Sequence, residues 1–427
     1  MPSTRPSLAL VLAIAPGFLW VSLLARADDQ SGSADLQARI DALPKAGGTL
    51  QLDARQYFLH KPLNLRDRRG VRIIGEGVGT EIAFVVATDQ PLLIDMTGAA
   101  ACELAHVRIT SREGTARIGL LLGRNKNGDS AGDHRFVNVR WDAPALLANI
   151  VSFGSEVNLY EHCLFFNTAP GGANLLTGRE VSSGVTSLFG PVHGGSNLCH
   201  VFQNCSFGMY ARTGAERNII IQSGTGYFTM MGGSLSNKTL DKTKPDRGGI
   251  TGFVIGGPSQ DFPCEHIVFS GVEAETYGAK NAIQIVGRVR GLRIQNTLLQ
   301  SLETAIRITG TLEDSVIEQN SLDAGMAQYD WQDGPLRSLV VVDGGKVLNS
   351  RLDFRYRRLG PLARDQSPND PGRRPAIALS VLGDPQKASF VHNEVIVQRD
   401  GDCFFAPELK SLELENTIRP PVELPRR

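Results

Sequence analysis

A short pattern of apolar and small positions recurs along the chain. Each copy sets a bulky apolar residue, two further positions, a small or polar slot, one more position and then, in most copies, a second apolar residue. The clearest copies run from Leu104 to Ile109, Phe136 to Trp141, Tyr160 to Phe165, Phe202 to Phe207 and Met230 to Leu235. Others run from Phe269 to Ala274, Ile294 to Leu299, Ile317 to Leu322 and Val347 to Leu352, with weaker copies near Asn393 and Asn416. The slots fall at 107, 139, 163, 205, 233, 272, 297, 320 and 350, so no interval is shorter than 23 residues. Alternation within each copy predicts a strand with one inward and one outward set of side chains. A strand-and-turn unit of this length cannot bury its own apolar face, so successive units must stack. The expectation is an all-β solenoid, a right-handed parallel β-helix of about eleven coils.

Two details extend this picture. Asparagine precedes the slot at 138, 204, 296 and 349. Amides repeated at equivalent turns can bond from layer to layer, which predicts an asparagine ladder. Near the N-terminus, Leu36, Ile40 and Leu43 share one helical face, and Pro44, Gly47 and Gly48 end the pattern. A solenoid exposes an apolar end unless it is covered, so this helix is expected to be the cap.

Composition fits this reading. Glycine, at 46 of 427 residues, is richer than the usual ~7%, as corners in the left-handed region require. Hydrophobic residues at 41% argue against disorder. Basic and acidic side chains number 44 each, so no basic field for nucleic acid exists. Leu8 to Ala25 is almost wholly apolar, follows Arg5 and leads into Ala25-Arg26-Ala27, a small-x-small cleavage pattern. Residues 1–27 are therefore expected to be an export signal and 28–427 a single domain, secreted or periplasmic, with no membrane segment in the mature form. Its six cysteines include no Cys-x-x-Cys pair and no zinc-like spacing. Cys163 and Cys205 share the slot of consecutive copies, as a disulfide or as two stacked thiols.

Three stretches carry a resemblance. Ile40 to Leu52 contains Gly47-Gly48-Thr49, Tyr57 to Leu65 contains Lys61-Pro62-Leu63, and Ile74-Gly-Glu-Gly-Val-Gly-Thr80 follows. Together they resemble the opening of the pectate-lyase-like right-handed parallel β-helix superfamily. That resemblance implies the fold, and a range of roles: polysaccharide lyases, glycoside hydrolases, epimerases, tailspikes and adhesin-like proteins. Fold does not choose among them. Gly-His-Gly, Arg-Ile-Lys and Arg-x-Pro-x-x-Arg are absent; Arg358 to Arg364 has one residue too many before its proline. No catalytic residue is carried over from any of these families.

Candidate chemistry then comes from the residues alone. Segments 167–197, 236–263, 323–335 and 357–375 read as insertions that wall a groove suited to an extended polymer. Glu273 and Glu275 are expected to face outward from one strand, either dividing acid and base work or holding Ca²⁺, with solvated glutamates as the plain alternative. Asp246 and Arg247 complete the catalytic candidates. Lys242, Lys244, Arg212 and Arg217 form a basic rim that attracts a polyanion, unless it is an ordinary charged loop, and Tyr277 could stack on a sugar, as could Tyr210 and Tyr227. His193 and His200 are candidate bases, whereas His106 and His162 read as structural. The expected function is a secreted protein that cleaves or modifies an acidic polysaccharide by β-elimination or hydrolysis. The alternative is a non-catalytic glycan-binding or surface-structural β-helix.

Overall fold

The computed structural model describes residues 36–86, 91–179, 197–211, 216–239, 250–275, 279–301, 304–324, 338–356, 376–382, 389–399, 403–404, 416–419 and 422–423. The segment read as an export signal lies outside them.

The chain winds as a right-handed parallel β-helix. Among the described residues its strands form a large sheet of 29 strands and a small one of 12, and every pairing is parallel. Each coil pairs with the coil before and the coil after. Arg108, Arg140, Leu164, Ser206, Ser234, Glu273, Leu298 and Ser321 are successive register partners. The slots one residue earlier, 107 to 320, therefore stack in one inward column. Val107, Val139, Cys163, Cys205, Val272, Thr297 and Asn320 in that column are all buried. Asn320 is tolerated there because its amide bonds backbone, accepting from Thr297 N at 2.8 Å and donating to Ile294 O at 2.7 Å.

Ser350 does not join this column. It stacks on Ser315, whose N–H donates to Ser350 Oγ at 3.2 Å. The reason is a change in the corners. Early coils turn twice within the large sheet, once at residues such as Asp133, Val157 and Tyr227 and again at His106, Asn138, His162, Asn204 and Asn296, all with positive φ. Beyond Asn296 the second turn disappears, and Val316–Ala324 runs on as a single strand. The repeat at 350 belongs to the first corner.

The expected asparagine ladder at 138, 204, 296 and 349 is corrected on the same ground. These residues are exposed, with φ between 49° and 52°. Asparagine suits them because its short polar side chain tolerates the left-handed region. A true amide ladder lies inside, at the start of the small sheet. Asn149 Nδ2 donates to Asn174 Oδ1 and Asn174 Nδ2 to Asn218 Oδ1, both at 2.8 Å.

Apolar side chains fill the rest of the interior. Phe136, Tyr160 and Phe202 stack face to face on three coils, with ring centroids 4.7 and 4.2 Å apart. Residues 36–41 are helical, and Leu36 and Ile40 are wholly buried against the first coil. The Arg68 guanidinium donates to the carbonyls of Ile40 and Leu43, satisfying groups that the helix end leaves open. The strands Ala173–Thr177 and Ile250–Ile255 of the small sheet fall within segments read as insertions. The repeat marks only the large-sheet side of each coil, so these strands carried no signal.

Candidate functional site

The outward face of the large sheet carries the candidate site. In the strand Glu273–Glu275, Ala274 is wholly buried in the core, which turns Glu273 outward, where it is exposed. Glu273 lies in register with Ser234 and Leu298, and Glu275 with Ser236 and Gln300. The two coils before Glu273 present a flat floor of small residues. Ser206, Ser234 and Ser236 are half-buried, and Ser234 Oγ donates to Ser206 Oγ at 3.0 Å. Gly208 lies under the half-buried Phe166; a Cβ at 208 would meet the ring at 2.3 Å, so only glycine lets the ring lie flat there.

Followed toward the N-terminus, the same columns become charged. Asp142 Oδ2 accepts from Arg108 Nε at 2.8 Å and from Arg140 Nε at 2.7 Å. Glu81 is buried and accepts from Thr110 Oγ1 at 2.7 Å, with Arg112 at 3.3 Å. Arg140 and Glu273 are four coils apart, about 19 Å at the usual strand spacing. Sequence reasoning missed this arginine and carboxylate patch. Its signal was present: Arg108 and Arg140 each follow the slot in consecutive copies.

The structure separates some of the other candidates. Arg217 is exposed but opens the strand Arg217–Ile221 of the small sheet, in register with Thr251, away from the floor. Tyr227 is 54% exposed at a left-handed corner and stacks on His266 at 4.8 Å. His106 and His162 occupy left-handed corners, not strand interiors. Arg212, Lys242, Lys244, Asp246, Arg247, Tyr277 and His193 lie outside the described residues, as do the side chains of Glu275 and Tyr210.

His200 faces the opposite way from a surface base. It is wholly buried, and burial pushes its pKa down to about 4. Its Nε2 lies 3.3 Å from Ser152 Oγ and its Nδ1 3.5 Å from Asn158 Nδ2. This outline resembles a nucleophile, base and orienting amide. The hydrogen-bond directions oppose that role. Nδ1 faces a donor and must accept, so Nε2 carries the proton and donates to Ser152, whose hydroxyl points on to Asn197 Oδ1 at 3.3 Å. With Ser152 and His200 sealed in the core, no polymer reaches them. The group is structural.

No family model and no curated protein matches the chain. Solved structures do. The A-module of Azotobacter vinelandii mannuronan C-5 epimerase AlgE6 is similar at 15% identity over 92% of this chain and 94% of that one, with a TM-score of 0.47. A mannuronic acid-specific polysaccharide family 6 lyase from human gut microbiota is similar at 11% identity over 94% and 90%, with a TM-score of 0.46. Endo-xylogalacturonan hydrolase from Aspergillus tubingensis is similar at 10% over 85% and 92%, with a TM-score of 0.43. No residue role is carried over from these proteins.

The cysteines and the question of a metal complete the inventory. Cys102, Cys163, Cys199, Cys205 and Cys264 are free thiols, and burial pushes Cys163 well above the usual thiol range. The stacked pair at 163 and 205 is therefore two thiols. Among the described residues, no three His, Cys, Asp or Glu side chains converge to hold a metal ion.

Proposed function

We propose that this protein is exported and acts on an acidic polysaccharide laid across the coils of the large sheet. The supporting observation is the continuous outward strip from the Arg108, Arg112 and Arg140 patch, over the floor at Phe166, Gly208, Ser206 and Ser234, to the exposed Glu273. A flat floor of small side chains admits the face of a sugar ring, and guanidinium groups pair with carboxylates in fork geometry. In this reading Glu273, exposed on the strip, exchanges a proton with the bound chain. Glu275, two residues on along the same strand, is in this reading the second carboxyl group that glycoside hydrolysis needs. In β-elimination one such group, or a nearby base, takes the proton beside the uronate carboxyl.

The test is incubation of the purified protein with a panel of polyuronates, with and without Ca²⁺. Ultraviolet absorbance reports unsaturated uronate ends and a reducing-sugar assay reports cleavage. Absorbing product identifies elimination; reducing ends alone identify hydrolysis. Glu273→Gln is expected to lower the rate by at least about 100-fold, and full activity in that variant removes Glu273 from the mechanism. A second reading, binding without chemistry, draws on the pairing of Asp142 and Glu81 with arginines, which leaves Glu273 as the exposed, described acid of the strip. Binding with neither product supports it.

A further inference from the structure

The interior is not apolar throughout. Across three consecutive coils it carries a polar seam built from Ser152, Ser155, Asn158, Thr177, Asn197, His200 and Thr225, all at most 1% exposed. Part of this seam is internally bonded. Asn197 Oδ1 accepts from Ser155 N at 3.0 Å, Asn197 Nδ2 donates to Ser152 O at 3.1 Å, and Asn158 Nδ2 donates to Ser155 Oγ at 2.7 Å. Part of it is not. Asn158 Oδ1, Thr177 Oγ1 and Thr225 Oγ1 are buried with no protein partner, and so are His134 Nε2 and Tyr160 OH beside them.

The residues that carry these five atoms follow one another along the seam by register. His134 pairs with Asn158 and Asn158 with His200; Thr177 pairs with Ser152, Thr225 with Asn197, and Tyr160 follows Asn158 by two on the same inward face. Their chemistry is complementary. Cys102 N donates to His134 Nδ1 at 3.2 Å, so His134 Nε2 carries a proton to give. Asn158 Oδ1 can only accept, and the three hydroxyls can do both. Five such atoms left dry along one seam would cost an amount comparable to the whole stability of a domain. Bound water removes that cost, since a buried molecule typically makes about three hydrogen bonds.

We infer that the seam is a binding site for a short row of ordered water molecules, held by His134, Asn158, Tyr160, Thr177 and Thr225 between the first corner and the small sheet. The water is part of the fold and not a passing occupant. It lets polar side chains occupy a core position that apolar residues fill in other coils, such as Phe228 and Ile267.

A crystal structure of the full chain, at a resolution that shows ordered solvent, tests this. Solvent peaks within hydrogen-bond distance of His134 Nε2, Asn158 Oδ1 and at least one of the two threonine hydroxyls support it. A dry seam, or side chains turned so that the five atoms satisfy one another, overturns it. Thr225→Val and Thr177→Val give an independent reading by equilibrium unfolding. A hydroxyl bonded to water is lost at a price, so each change should raise the unfolded-to-folded ratio about five- to tenfold. An unchanged or lower ratio in both variants means the hydroxyls were dry and refutes the inference.

Discussion

Replacing His200 by phenylalanine should make the protein less sensitive to acid. His200 is buried and neutral, with a pKa lowered from 6.5 to about 4. In the unfolded chain the same imidazole protonates near 6.5. Between these values the unfolded state binds more protons than the folded one, so stability falls as the pH is lowered through this window and the loss is complete below about pH 4. From pH 8 to pH 5 one such histidine costs about 2 kcal/mol. His134 is lowered to about 4 by the same burial and adds a similar loss, so the pair accounts for about 4 kcal/mol. Phenylalanine is the informative replacement because the next residue of the column is Phe228, wholly buried on the neighbouring coil. Urea unfolding at pH 8 and pH 5, at one ionic strength, gives the stability difference for wild type and for His200→Phe. The variant loses some stability at pH 8, because Ser152 and Asn158 lose a partner. Its further loss on going to pH 5 should be smaller than that of wild type by about 2 kcal/mol. Equal losses in the two proteins would refute the argument that His200 is held neutral in the core.

Three further outcomes are expected. Asn174→Ala removes the middle rung of the internal amide ladder and takes a partner from Asn149 Nδ2, Asn218 Oδ1 and the Gly208 carbonyl, so chemical denaturation should show a loss of about 3 kcal/mol. Gly208→Ala and Gly233→Ala should differ: the first displaces only the half-buried Phe166 ring and lowers stability by less than about 1 kcal/mol, while the second sets a Cβ 2.0 Å from the Cys205 carbonyl at a φ of +79° and should cost at least about 2 kcal/mol. If the floor binds sugar, Gly208→Ala should also weaken polyuronate binding in calorimetry. N-terminal sequencing of protein recovered from an exporting host should begin at Asp28; retention of Met1 would count against an export signal.

The fold was legible because burial in a solenoid repeats. Bulky residues at Phe136, Tyr160 and Phe202 stack on one another, so their spacing in sequence is the length of a coil. The same logic misplaced Ser350, since a local motif does not say which of two corners it turns. It also misassigned Asn138, Asn204 and Asn296 to a ladder, because asparagine serves left-handed corners as well as amide stacking and the sequence cannot separate the two uses. The outward setting of Glu273 was legible from alternation alone. The Glu81, Arg108, Arg140 and Asp142 patch was legible only in part: Arg108 and Arg140 each follow the slot, but the members come from three coils and meet only once the register is known. His200 misled for a related reason: a polar side chain in a strand reads as outward, and only pairing reveals that it stacks on Asn158 inside.

The short helix at residues 36–41 has a consequence for assembly. The first strand, Gly48–Gln51, pairs with Val71–Ile74 on one side, and the other side would offer an unpaired backbone row to any second molecule. Trimming the chain as far as Leu43 would uncover both that row and the apolar end beneath Leu36 and Ile40. A second molecule could then add its own strand to that edge, so the truncated protein should self-associate through this end more than the intact one, and size-exclusion chromatography of the two reads the difference.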